Sequence, residues 1–185
     1  MVRRAKLVND LVELVPILQL LSTETYRKVY ETLLSEWKTL NELKELYGEK
    51  VEEVLRILKN AGMLEVKWRM PSDPSGKPEK EYHVSYTHIS LNVYTSLRDL
   101  NTILKAVFMA DDEESEIVEK IIDEIKRGRM SVQHISKETG LDQLLVRAIA
   151  KKSLDLNLKG QLLSLIHISE PTRPLYISYA VFCLK

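Results

Sequence analysis

Between Thr39 and Tyr86 the spacing of apolar positions changes from helical to alternating. Leu40, Leu43 and Leu46 follow Thr39 at helical intervals. Thr39 and Glu42 form the T-x-x-E pattern, in which hydroxyl and carboxylate satisfy the free N–H groups at a helix start, so a short helix begins at Thr39 and stops at Gly48. Val51, Val54, Leu55 and Leu58 then give a second helix one apolar face, with Glu49, Glu53, Arg56 and Asn60 on the other, and Gly62 ends it. Beyond Gly62, Leu64, Val66 and Trp68 alternate with Glu65, Lys67 and Arg69. Tyr82, Val84 and Tyr86 alternate again after the polar tip SDPSGKPEK, which predicts a half-buried strand pair. Helix, turn, helix and hairpin in this order predict a winged helix-turn-helix. Glu24 to Leu34 supplies its first helix through the stripe Tyr26, Val29, Tyr30 and Leu33, and Trp37 closes the corner before Thr39.

Outside this stretch the pattern is mostly helical. Lys6 to Leu21 is aliphatic and contains Pro16, which predicts a helix broken or restarted near the proline. Strand character continues from Thr87 to Thr95. Ser96 and Asp99 then cap a helix running to about Ala110, with Leu97, Leu100, Leu104, Val107 and Phe108 along one side. The next helix has acid at its start, Asp111 to Glu114, and base at its end, Lys126, Arg127 and Arg129, so both ends suit its dipole. Its face of Ile117, Val118, Ile121, Ile122 and Ile125 is broad enough for these two helices to pair two copies of the chain, or to pack on the winged part. Met130 to Lys159 repeats the helix-turn-helix pattern on a smaller scale, turning at Gly140, with Arg147, Lys151 and Lys152 at its outer side. The predicted fold is therefore mainly α with a small β-hairpin. A winged helix-turn-helix domain over 1–95 precedes a helical dimerisation region over 96–162 that holds the second, smaller helix-turn-helix.

Composition narrows the function classes. The chain is 44% hydrophobic and 29% charged, with 27 basic residues against 27 acidic, which is ordinary for a folded globular protein and rules out a polybasic tail as the source of any nucleic-acid affinity. No stretch approaches the roughly 20 apolar residues that span a bilayer, so a cytoplasmic protein without membrane contact is expected. Cys183 is the single cysteine, leaving neither a disulfide nor a thiolate metal site. His83 and His88 are five apart in strand-like sequence and point to opposite faces, and His134 stands alone, so no metal and no cofactor are expected. No nucleophile elbow, phosphate-binding glycine loop or supported carboxylate pair is present, and an enzyme is not expected.

Residues 163–185, LSLIHISEPTRPLYISYAVFCLK, do not continue the preceding pattern. LSLIHISEPTR resembles the translation of a transposase-type sequencing adapter, and ISYAVFCL resembles the flow-cell end of the same design. The three residues Pro174 to Tyr176 stand where a sample index would lie. The segment is read as adapter-derived and non-native, with a genuine apolar strand pair as the bland alternative.

From about Leu11 to Gln161 the chain resembles the archaeal ArsR-like winged helix-turn-helix transcriptional regulators. The matching pieces are DLVELVPILQ, LSTETYRKVYETL, WKTLNEL, ILKNAGMLE, WRMPSDPSGKPEKEYHVSY, the acidic helix before SVQHISKETGL, and the closing RAIAKKS and LNLKGQ. This resemblance implies binding to double-stranded DNA by a homodimer. In a winged helix the second helix of the pair enters the major groove and the wing reaches phosphates or a neighbouring groove. Arg56 and Asn60 suit guanine and adenine edges, and Lys50 and Lys59 suit phosphates. The wing offers Lys67, Arg69, Lys77 and Lys80, and the second unit offers Arg147, Lys151 and Lys152. Glu49, Glu52 and Glu53 at the start of the same helix would repel phosphates and favour the alternative, a winged-helix protein-interaction module without direct DNA binding. Trp37, Trp68, Tyr82 and Tyr86 are expected to pack in the core, with a base-stacking platform as the second reading.

Overall fold

The computed structural model describes residues 4–70 and 77–166. Of the helix expected over Lys6 to Leu21, broken or restarted near Pro16, only the part from Leu14 is α-helix; a strand stands in place of its beginning. β1 (Arg4–Val8) pairs in parallel with β5 (Tyr86–Leu91), then a 3-10 turn over Leu11–Glu13, capped by the Asp10 carboxylate, leads into α1 (Leu14–Ser22). Parallel pairing with a strand some eighty residues away leaves no local signal, which is why the strand reads as helix in the sequence. Pro16 lies in the first turn of α1, where its missing N–H breaks no helical hydrogen bond.

The N-terminal unit follows the order expected: α2 (Glu24–Ser35), the two-residue β2 (Lys38–Thr39), α3 (Leu40–Tyr47), α4 (Val51–Asn60), β3 (Leu64–Arg69) and β4 (Glu79–Val84). The capping box forms as read. Thr39 Oγ1 accepts from the Glu42 amide at 3.3 Å, and the Thr39 amide donates to Glu42 Oε2 at 2.7 Å. Gly48 ends α3 at φ +77°, a conformation that a side chain would strain. β3 and β4 pair antiparallel from Leu64↔Val84 to Arg69↔Glu79, and β2 joins the outer side of β4.

The second unit repeats this order in full. α5 (Leu97–Val107) connects the two, its start capped by Ser96 as expected. Then come α6 (Asp111–Lys126), an isolated bridge at Ser131, α7 (Val132–Thr139), α8 (Gln143–Lys152), and a hairpin of β6 (Leu156–Lys159) and β7 (Leu162–Leu165). Ser131 pairs with Leu162 on the second hairpin strand, as β2 pairs with β4 in the first unit. The likeness extends to chemistry: Thr39, the last residue of β2, caps α3, and Ser131, the bridge residue, caps α7. Of the segment read as adapter-derived, Leu163–Leu165 belong to β7 and Leu163 is buried; residues 167–185 lie outside the described residues.

Each unit has its own core. Val29, Leu33, Leu43, Val54, Leu58 and Val84 belong to the first, and Ile103, Ile121, Ile135, Val146, Ile149 and Leu163 to the second. α1 lies between them. Val15 faces the second core while Ile17 and Leu20 face the first, which accounts for a helix whose sequence, LVPILQLLS, is apolar on nearly every side. The apolar face of α6, read as a surface for pairing two copies, is buried within this chain: Ile117, Val118, Ile121 and Ile125 all lie in the second core. The whole is mainly α with small β-sheets, and no helix among the described residues is long and apolar enough to cross a membrane.

Candidate nucleic-acid interface

α4 lays Val51, Val54, Leu55, Ile57 and Leu58 into the core and leaves Glu52, Glu53, Arg56 and Lys59 exposed, as its periodicity requires. The three carboxylates that opposed a DNA-facing role are partly neutralised within the protein. Lys44 of α3 reaches Glu49 at 2.7 Å and Glu52 at 2.5 Å, and these two acids hold its ammonium above the usual lysine range. Glu53 lies beside Tyr26, where burial first and then the Glu53 carboxylate push the tyrosine hydroxyl up.

Arg56 and Asn60 do not project free of the protein as the sequence suggested. Arg56 Nη2 donates to the main-chain oxygen of Leu154 at 2.9 Å, and Asn60 Nδ2 donates to that of Lys151 at 2.5 Å. Both therefore anchor α4 to the end of α8 and the connection after it. Between the two units lies a cleft of about 630 Å³ lined by Glu53, Asp111, Glu114, Glu119, Lys152 and Asp155 among others, five acids against one base. A phosphate backbone would be repelled there.

The basic group assigned to the second unit is likewise used internally. Arg147 pairs with Asp10, Lys152 reaches Glu114 at 2.5 Å, and burial lowers the pKa of Lys151. The cause is the position of α8. It packs against α5, α1, α6 and the 3-10 turn, so the helix that corresponds to α4 in the repeat is covered by the chain's own elements.

On the β3–β4 hairpin, Lys67 and Arg69 point to the side that carries buried Glu81. Lys67 reaches it at 3.2 Å and lies 4.1 Å from the Trp37 ring centre; Arg69 pairs with both Glu81 and Glu42. Arg69 first, then the Thr39 amide, hold the Glu42 carboxyl below its usual range. Lys50, Lys59, Lys77 and Lys80 are exposed and make no ion pair with a described residue. Among the described residues these four are expected contacts that no ion pair engages.

Alternation along β3 and β4 puts Val66, Trp68, Lys80 and Tyr82 on the other side of the hairpin, since cross-strand partners share a face. Toward Val84 this side enters the core; farther out it is open, and Trp68 is 61% exposed rather than packed as expected. Trp37, by contrast, is half-buried and stacks on His83 with ring centres 4.9 Å apart. The alternation Leu64, Val66, Trp68 held the signal for this ridge, but a sequence period does not tell where the core stops. Among the described residues no group of three or more His, Cys, Asp or Glu could hold a metal.

A search among curated proteins finds no match. The family model described as ArsR transcriptional regulator matches residues 8–167, taking in both units and the hairpin of the second. The chain belongs to the ArsR family of transcriptional regulators.

Proposed function

We propose that the N-terminal unit is a winged helix-turn-helix that binds double-stranded DNA, and that the protein regulates transcription through it as a homodimer. The observation that carries this reading is the exposed wing with Lys77 and Lys80, next to a reading helix whose flanks keep Lys50 and Lys59 unpaired among the described residues. Lysines of this kind contribute affinity by neutralising phosphates. Sequence discrimination falls to α3, the first turn of α4 and the wing, because Arg56 and Asn60 are held by main-chain oxygens. In this reading the second unit, with its α8 covered, is scaffold rather than reader. Neither catalysis nor a cofactor or metal is needed, and the cytoplasm is the expected compartment.

Exposed apolar residues on α5 offer the pairing surface: Leu97 is 86% and Phe108 66% exposed, with Leu104 between them on the same side. Sedimentation that gives a monomer at all concentrations would remove the homodimer from this reading. Selection from random duplex fragments tests the DNA part. Recovery of a shared motif, preferably with two-fold symmetry, supports it, and recovery without sequence preference contradicts a site-specific regulator. The protein-interaction alternative is favoured by the internal use of Arg56 and Asn60. It is separated from DNA binding by salt dependence.

A further inference from the structure

The ridge on β3 has a composition that core packing does not explain. Val66 and Trp68 lie on one face of the hairpin and are 50% and 61% exposed, and Met70, just past the end of β3, is 74% exposed, so apolar exposure grows along the strand toward its free end. Lys80, the cross-strand partner of Trp68, holds its ammonium 5.4 Å from the indole ring centre, and Tyr82 stands opposite Val66. Strand alternation sends Glu65, Glu79 and Glu81 to the opposite face, where Glu81 pairs with Lys67 and Arg69 and Glu65 pairs with Arg4. Glu79 also lines the shallow groove that Trp68, Lys80 and Tyr82 form with Thr39, Leu40 and Asn41 of the α3 start. One face of the hairpin thus pairs Lys67, Arg69 and Glu81 internally; the other sets aromatics beside the Lys80 cation, with Glu79 the one acid among the described residues that line its groove.

We propose that this ridge is a wedge for duplex DNA: Trp68 stacks against a base step from the minor groove while Lys80 and Lys77 hold the flanking phosphates. The proposal rests on the DNA-binding reading and adds to it a specific residue and mode of contact. Charge favours the partner, because Lys80 over the indole and the exposed Lys77 outnumber the single carboxylate of Glu79 and complement a polyanion whose bases offer flat apolar surfaces. Apolar side chains inserted between base pairs unstack them, and the lost stacking is offset by the added protein contacts. Such a wedge discriminates among sequences by how readily a step deforms, so it does not need the base-edge contacts that Arg56 and Asn60 have given up.

Trp37 and Trp68 are the two tryptophans of the chain, so Trp37→Phe in the full-length protein leaves Trp68 as the sole indole reporter. Titration with random-sequence duplex should quench Trp68 emission in step with binding followed by anisotropy of the labelled duplex. In a second variant, Trp68→Ala with Trp37 retained, affinity should fall roughly tenfold, in the range known for loss of one base-stacking aromatic, and Trp68→Phe should recover part of it. Duplex binding with unchanged Trp68 emission, or with wild-type affinity in Trp68→Ala, would overturn the wedge and leave DNA binding standing. Stronger quenching by single strands than by duplex would overturn the minor-groove mode. Failure of the wild-type protein to bind any duplex would sink both the wedge and the reading it rests on.

Discussion

Arg56 of α4 donates to the main-chain oxygen of Leu154, a residue 98 positions later, at 2.9 Å. This bond, with that of Asn60 to the Lys151 oxygen, ties α4 of the first unit to the end of α8 in the second. The two units share α1 as a common wall, and these two hydrogen bonds are further polar contacts that bear on the angle between them. A side chain that looks like a base reader in the sequence acts here as a tether.

Removing both tethers should loosen that angle without unfolding either core. Each neutralised hydrogen bond is worth about 0.5–1.5 kcal/mol, so the Arg56→Ala, Asn60→Ala double variant should lose about 1–3 kcal/mol in a denaturant titration, with faster amide exchange at the end of α8. Unchanged exchange at Leu154 and Asp155 would show that apolar packing through α1 alone sets the arrangement.

The box at the start of α3 gives a more local prediction. Thr39 is buried and its hydroxyl caps the helix that positions α4. Thr39→Ala should cost about 1 kcal/mol, read as a lower unfolding midpoint, and Thr39→Ser should restore most of it. Equal loss in both variants would mean that the methyl group, not the hydroxyl, matters.

Acid sensitivity should centre on Glu124. Its carboxylate is buried between Arg129 at 2.6 Å and Arg127 at 2.7 Å, and Arg129 first, then Arg127, hold its pKa below the usual carboxylate range. In the unfolded chain the same group takes up a proton at higher pH, near the ordinary value of about 4.3. Its contribution is therefore complete above that value and is lost as pH falls through the lower folded value. Glu124→Gln should be less stable than wild type at neutral pH, and the gap should close on acidification. A gap independent of pH would assign the effect to packing.

Much of this fold is legible in the sequence because its signals are local. Thr39 with Glu42, Ser96 with Asp99, the stops at Gly48 and Gly140, and the alternation from Leu64 to Arg69 all act within a few residues, and each reappears in the structure. β1 was missed because it exists only through parallel pairing with β5. The second hairpin was missed because strands of four residues carry too little alternation to register, and Leu163 falls in a segment set aside on other grounds. The internal partners of the outward-facing candidates escape the sequence for a different reason. Periodicity tells which side of a helix faces outward, but not whether another element lies there, and long side chains such as Arg56, Arg147 and Lys152 reach whatever acceptor the tertiary fold brings near.

The central claim is that the exposed lysines of the first unit meet phosphates. The direct measurement is the anisotropy of a labelled random duplex titrated with the whole protein at several salt concentrations, repeated with Lys77→Ala, Lys80→Ala. The account predicts tight binding at low salt that falls steeply as salt rises, and a slope of log affinity against log salt shallower by about two in the double variant. Absence of binding at low salt, or binding indifferent to salt and to both lysines, would contradict it and favour a protein partner.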